Sequence, residues 1–158
     1  WKKRNEEWSE NIKQQYSDGL FSKAPKSINS SQHSKVSITL INKIINSLNL
    51  NINDIKCYKN IELSIRHNNT FKYYDFCYLP TKKIIEFNGD YWHCNPSLYE
   101  SEYYHPTKKM TASEIWEYDF KKINIAREKG YNILTIWEKE YNENPTLVLE
   151  KCISFLNL

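Results

Sequence analysis

The sequence is poor in glycine and has no long apolar run. Only three of the 158 residues are glycine, whereas aromatic residues make up 15% of the chain. Such a chain has ample apolar surface to bury, which argues against disorder. No stretch approaches the roughly 18 consecutive apolar residues that cross a bilayer, and no signal peptide opens the chain. We therefore expect a folded cytoplasmic protein without a membrane partner.

The chain also lacks a strong net charge and paired cysteines. Its formal net charge is +3, which excludes a uniformly basic nucleic-acid-binding protein. The four cysteines form no CxxC pair, so we expect them to be reduced and structural. Lysines do cluster locally, and such clusters either lie on a solvated face or contact phosphates. The clusters are Lys2-Lys3-Arg4, Lys82-Lys83, Lys108-Lys109 and Lys121-Lys122.

Residues 1–33 differ in character from the rest of the chain. They are polar and mixed in charge, and they include the loop-like stretch KAPKSINSSQHS. We interpret them as an N-terminal extension or linker. Because the chain begins with Trp1 instead of Met, we expect it to be a fragment of a longer protein. Residues 34–158 form the predicted folded domain.

The apolar pattern of the folded domain predicts alternating helices and strands. Ser34 is the predicted N-cap of the first helix, and Thr111 to Glu114 (TASE) form a capping box for the second, which stops at Gly130. Three consecutive strands read as a meander. The expected fold is therefore α/β or α+β, with helices flanking a mixed sheet. The predicted elements are a helix at 35–48, strands at 60–67, 71–79 and 83–88, a helix at 111–129, a strand at 131–141 and a helix at 145–157.

The second and third predicted strands each carry one carboxylate among apolar residues. In the favoured antiparallel register, Asp75 and Glu86 lie on the same face of the hairpin. A slip of one residue would separate them. Two carboxylates that close repel each other unless a cation lies between them, although a solvated face with lysine counterions is the alternative. The opposite, apolar face would hold Tyr74, Phe76, Ile85 and Phe87.

More polar residues lie near this hairpin. Asp90 and His93 follow the third strand, and Glu62 lies on the polar side of the first predicted strand. Oxygen ligands on adjacent strands suit Mg²⁺, and an imidazole nearby could take a proton from an attacking water. Phosphodiester hydrolysis commonly uses a bound metal ion together with a group that accepts a proton.

The order of these residues resembles a known nuclease pattern. Asp75 followed by KKIIEFNG resembles the hairpin of the PD-(D/E)xK nuclease superfamily, with Asn88 where the common pattern has lysine. The runs EFNGDYWHCNP and WEYDFKK…GYNILTIWE resemble its very-short-patch repair (Vsr-like) branch, and within it the phage homing endonucleases of the EDxHD type. The resemblance implies a restriction-endonuclease-like fold and a DNA endonuclease that uses Mg²⁺ or Mn²⁺. It makes residues 34–158 the nuclease catalytic domain.

The resemblance also implies catalytic and metal-binding roles. Asp75 would be the main metal-bridging carboxylate. Glu86 or the Phe87 carbonyl would supply a second metal contact, and Asp90 would either ligate the metal or orient His93. His93 would be the general base or acid near the scissile phosphate.

Four further residues receive supporting roles from the same resemblance. Glu62 would be an earlier catalytic glutamate, here on a strand. Asn88 cannot replace the charge or the proton transfer of a lysine, so it would act as a hydrogen-bonding residue. Asp119 and Lys122, one helical turn apart, would support the site or contact the DNA backbone, with a surface pair as the alternative.

Double-stranded DNA is the implied partner. Tyr91 and Trp92 would stack on bases or wedge between them, with core packing as the alternative for Trp92. One site cuts one strand per encounter, so a double-strand break would suggest a homodimer on DNA, and an upstream DNA-binding domain would be missing from the fragment. The basic candidates for backbone contact are Lys108, Lys109, Lys2, Lys3 and Arg4.

Three rival functions stay open at this point. A mismatch-specific or strand-specific nicking repair endonuclease would use the same chemistry, and so would a restriction enzyme. A non-catalytic module that only binds nucleic acid on a nuclease fold is the rival from another class. The presence of Asp75, Glu86, Asp90 and His93 together argues against that loss of activity.

Overall fold

The computed structural model describes residues 34–156. The predicted extension at 1–33, with its candidate DNA contacts Lys2, Lys3 and Arg4, lies outside the described residues. The helices are α1 (Lys35–Ser47), α2 (Ala112–Glu128), α3 (Glu138–Glu143) and α4 (Pro145–Leu156), with a 3₁₀ turn at Ile52–Asp54. The strands are β1 (Ile55–Cys57), β2 (Leu63–His67), β3 (Thr70–Tyr74), β4 (Phe76–Tyr78), β5 (Lys83–Asn88), β6 (Tyr104–His105), β7 (Met110–Thr111) and β8 (Asn132–Trp137).

A four-stranded mixed sheet forms the centre, in the order β1-β4-β5-β8. The first three strands pair antiparallel, and β8 pairs parallel to β5 after the crossover that contains α2. Apolar residues of α1 and α4 pack on one face of the sheet, and those of α2 pack on the other. The predicted class, a mixed sheet flanked by helices, is confirmed.

The predicted meander is divided between two sheets. Strands β2 and β3 form a separate hairpin, because the strand expected at 71–79 breaks at Asp75. The bend resets the alternation of side chains, so Tyr74 packs with Ile84 near α2, whereas Phe76 packs with Ile85 on the α1 side. The prediction that Tyr74 shares a face with Phe76 is therefore wrong.

Both predicted N-caps are confirmed. The Ser34 side chain accepts the Ser37 amide at 3.0 Å and starts α1. Thr111 and Glu114 form the predicted capping box at the start of α2, which leaves fewer amides unsatisfied at the helix end. The helix ends before Gly130, whose φ of +82° is easily adopted by glycine.

The last predicted strand is shorter than expected. It ends at Trp137, since the Glu140 side chain accepts the Trp137 amide at 3.0 Å and the next residues turn into α3. Tyr141, which the pattern assigned to the strand, is instead buried on α3 with its ring 6.1 Å from that of Phe87. The three-residue strand β1 was not predicted.

Two expectations from composition can be compared with the described residues. All four cysteines are buried and free, as predicted. Within residues 34–156, no helix is both long and apolar enough to span a membrane.

Candidate active site

Asp75 lies at the bend between β3 and β4 and is held by two backbone hydrogen bonds. Its amide donates to Oε1 of Glu86 at 2.9 Å, and its Oδ2 accepts the amide of Phe87 at 2.9 Å. Phe76 pairs with Ile85 in the antiparallel ladder, so these two residues share a face as predicted. We call this reciprocal arrangement of Asp75, Glu86 and Phe87 the backbone clamp.

Glu86 is buried on β5 and faces α2. Its second oxygen contacts the ammonium group of Lys122, and the two side chains are 8% and 21% exposed. Burial raises the pKa of Glu86 to about 7, although the Lys122 charge opposes that shift. Burial alone would lower the pKa of Lys122, but the carboxylates of Glu86 and Asp75 raise it above its ordinary value. Each group therefore depends on the other for its charge.

His93 lies in the turn after β5 and is oriented by α2. Its amide donates to the Gly89 carbonyl at 3.0 Å, and its Nδ1 lies 2.6 Å from Oδ2 of Asp119. Because a carboxylate can only accept, this contact assigns the Nδ1 proton to the histidine and leaves Nε2 as the basic nitrogen. The His93 and Asp119 side chains are 26% and 15% exposed, so the pair is open to solvent.

A cleft of about 310 Å³ is lined by part of this group. Asp75 and His93 both line it, and Ser34 and Ser37 come from the start of α1. Glu86, Asp90 and Lys122 are not among the described residues that line this cleft. The acidic candidates were expected in one site, but only part of that group lies at the cleft wall.

Asp90 has a structural partner in the turn that carries His93. Its Oδ1 accepts the Asn95 amide group at 2.6 Å, and its own backbone amide donates to Glu138 at 3.2 Å. Glu138 begins α3 and also lines the cleft. Glu138 was not predicted as a site residue, although the IWE run that ends at this residue was part of the resemblance.

The remaining predicted residues lie around this centre. Asn88 is buried at the end of β5, beside Trp137 of β8. Glu62 precedes β2, so its predicted position inside a strand is wrong. It lies near the Asp75 bend, because its neighbour Leu63 pairs with Tyr74. Glu62 is not among the described residues at the cleft.

Aromatic side chains form a surface at the rim of the cleft. Trp92 is 51% exposed and Tyr91 is 38% exposed, and both line the cleft. Their rings lie 5.6 Å and 4.4 Å from the ring of His105, which is fully buried beneath them. Core packing therefore does not account for Trp92. Lys108 is half-buried and Lys109 is exposed in the loop that His105 anchors.

The donors at the cleft suit a divalent cation that is shared with a substrate. Within residues 34–156, no three His, Cys, Asp or Glu side chains form a preformed metal site. Mg²⁺ often keeps several waters, however, and binds through one or two carboxylates plus substrate phosphates. Asp75 and Glu138 are the carboxylates among the described cleft residues. The predicted ligands Glu86 and Asp90 instead have Lys122 and Asn95 as partners.

Comparisons with protein-family models, with curated proteins and with solved structures find no match to this chain.

Proposed function

We propose that this chain is a metal-dependent DNA endonuclease domain, of the kind found in phage homing endonucleases, with a restriction-endonuclease-like (Vsr-like) fold. One observation carries the proposal: a single cleft contains a backbone-fixed carboxylate, Asp75, and a histidine, His93, whose other nitrogen is engaged by Asp119. That combination serves hydrolysis of a phosphodiester, and double-stranded DNA in a bacterial or phage-infected cytoplasm is the proposed substrate.

His93 is the proposed general base. With its proton on Nδ1 and held by Asp119, the imidazole presents Nε2 to accept a proton from a water in the cleft. The carboxylate then stabilises the imidazolium that forms, without itself taking the proton. Asn88 is buried and an amide cannot act as a general base. The histidine therefore takes the place of the lysine of the wider superfamily.

Asp75 is the proposed anchor for Mg²⁺ or Mn²⁺, with Glu138 as the second carboxylate at the cleft wall. When bound, such a cation neutralises charge that develops on the phosphate oxygens. The backbone clamp keeps the Asp75 carboxylate in place before substrate arrives, which reduces the reorganisation needed in the transition state.

The aromatic surface of Tyr91 and Trp92 is the proposed contact for the bases next to the cut. A half-exposed tryptophan at the rim can stack on a base or wedge between two. Lys108 and Lys109, on the adjoining loop, are the proposed backbone contacts. The same exposed tryptophan favours a second candidate, a mismatch-nicking repair endonuclease, because recognition of a mismatch requires a wedge.

Cleavage of supercoiled plasmid with Mg²⁺ or Mn²⁺ tests the proposal. We expect the protein to convert the plasmid to nicked or linear forms, and Asp75→Ala to abolish this. Glu117→Gln, on an exposed side chain of α2, is the matched control and should cleave normally. A protein that shifts DNA in a gel but cleaves nothing with either metal would instead be a binding module. Preference for mismatched over matched duplexes, with nicks as the only product, would select the repair candidate.

A further inference from the structure

The side chain and the backbone of Lys122 are both held by residues next to the Asp75 bend. Its ammonium group contacts the Glu86 carboxylate and lies 4.9 Å from the centre of the Tyr74 ring. The Tyr74 hydroxyl donates back to the Lys122 carbonyl at 2.9 Å. The lysine thus joins α2 to β3 and β5 at the place where the chain bends into the site.

Glu86 connects Lys122 to Asp75. One carboxylate oxygen contacts Lys122 and the other accepts the Asp75 amide, while Asp75 itself accepts the Phe87 amide. An ionised carboxylate is very unfavourable in a buried position without a cation. The Lys122 cation therefore stabilises the backbone clamp, even though the clamp contains no lysine.

From this geometry we infer that Lys122 is a positioning residue that acts through Glu86 to hold the Asp75 carboxylate at the cleft. The catalytic consequence of this inference rests on the proposed endonuclease function. Lys122 is not among the described residues that line the cleft, so we assign it no direct contact with DNA. Glu86 is likewise assigned to the clamp and not to the metal.

Three variants of the full chain separate this role from a general loss of stability. Lys122→Met removes the charge and keeps most of the length of the side chain. The double variant Glu86→Gln/Lys122→Met removes both charges, and glutamine can still accept the Asp75 amide. Lys121→Met is the matched control, since Lys121 is an exposed neighbour paired with Glu117.

Cleavage kinetics give the first readout. Displacement of a catalytic group by about 1 Å can cost on the order of 100-fold in rate, so we expect Lys122→Met to lower kcat by about 10- to 100-fold. The KM for DNA should change by less than about twofold, because binding groups are untouched. The double variant should recover kcat to within about threefold of the wild-type value, and Lys121→Met should match wild type.

Amide hydrogen exchange of Asp75 and Phe87, measured by NMR, gives a second readout that needs no cleavage. Both amides donate within the clamp, so they should exchange slowly in the wild type. We expect exchange to be at least about tenfold faster in Lys122→Met and to return to the wild-type rate in the double variant. A wild type that does not cleave DNA would overturn the proposed function alone, because this exchange pattern still decides the clamp.

Two results would overturn the inference. One is a folded Lys122→Met protein with wild-type kcat and wild-type exchange at both amides. The other is a folded double variant that stays as impaired as Lys122→Met, since this would mean that the lysine charge itself acts in the reaction. If Lys122→Met does not fold, the double variant decides alone: recovery supports positioning, and impairment refutes it.

Discussion

Helix α2 is joined to the β5 region by two polar pairs that lie one helical turn apart, and these pairs differ in their access to the cleft. Lys122 meets Glu86 inside the protein, with side chains 21% and 8% exposed. Asp119 meets His93 at the cleft, with side chains 15% and 26% exposed. Each pair matches an acid with a base, but of the four residues only His93 lines the cleft.

Access to the cleft decides what each pair can do. Two charges enclosed by protein are costly to separate, because neither regains its water when the partner is removed. A pair at the edge of a cleft can exchange protons with water or substrate at little cost. We therefore assign the buried pair to holding the site and the open pair to the reaction.

The largest expected effect on stability comes from breaking the buried pair. Lys122→Met should lower the free energy of unfolding by about 3–5 kcal/mol, since Glu86 is left without its cation. Urea unfolding followed by tryptophan fluorescence measures this change. Lys121→Met breaks only an exposed pair and should cost less than about 1 kcal/mol. If Lys121→Met and Lys122→Met lowered the free energy of unfolding equally, burial of the Glu86–Lys122 pair would not matter for stability.

The open pair should show the opposite behaviour. Asp119→Asn leaves His93 without the partner that fixes its tautomer, so we expect cleavage to fall by about 10- to 100-fold. Stability should fall by less than it does in Lys122→Met, because asparagine keeps the size of the side chain and can still hydrogen-bond to the imidazole. Plasmid cleavage and urea unfolding, with Glu117→Gln as the control, measure the two effects. If Asp119→Asn lost much of its stability but kept full activity, the assignment would be wrong, because the Asp119–His93 pair would then hold the fold and not serve the reaction.

The buried pair should also make stability depend on pH. The pKa of Glu86 is raised by burial from an ordinary 4.5 to about 7, so the folded state binds this proton more tightly than the unfolded state. Between these values the unfolded chain carries fewer protons, and stability must fall as the pH rises. We expect a decrease of about 1–3 kcal/mol from this group. Unfolding curves at several pH values should show this decrease in the wild type and not in Glu86→Gln.

The smallest expected effect comes from the helix that carries both pairs. Thr111→Ala removes the side-chain cap of α2 and should cost about 1 kcal/mol in the free energy of unfolding. The cap is remote from both pairs, so cleavage at temperatures well below unfolding should stay near normal. Ser34→Ala, which removes the N-cap of α1, should cost a similar amount in thermal unfolding. If Thr111→Ala lost activity without losing stability, the N-terminal end of α2 would be needed to position the site.

Features governed by local chemistry could be predicted from the sequence. The caps at Ser34 and Thr111 follow from side chains that hydrogen-bond three residues ahead. The shared face of Phe76 and Ile85 follows from alternation along a short hairpin. The helical spacing of Asp119 and Lys122 already placed the two residues on one face, which the structure turns toward β5 and the cleft.

Features that depend on distant partners could not be predicted. The bend at Asp75 is maintained by its hydrogen bonds to the Glu86 carboxylate and the Phe87 amide, and no local pattern marks it. The pairing of Glu86 with Lys122 joins residues 36 positions apart. Glu138 was missed because an acidic residue at the end of a strand looks like any solvated residue until α3 turns it toward Asp90.

Single-turnover cleavage of a DNA duplex by His93→Ala, together with its binding affinity, tests the central claim most directly. General acid–base catalysis contributes about 10²- to 10⁴-fold, so we predict a loss of that size in the cleavage rate. The Kd for the duplex should stay within about threefold of wild type, because His93 acts on the attacking water and not on DNA affinity. A His93→Ala protein that cleaves at the wild-type rate would contradict the account.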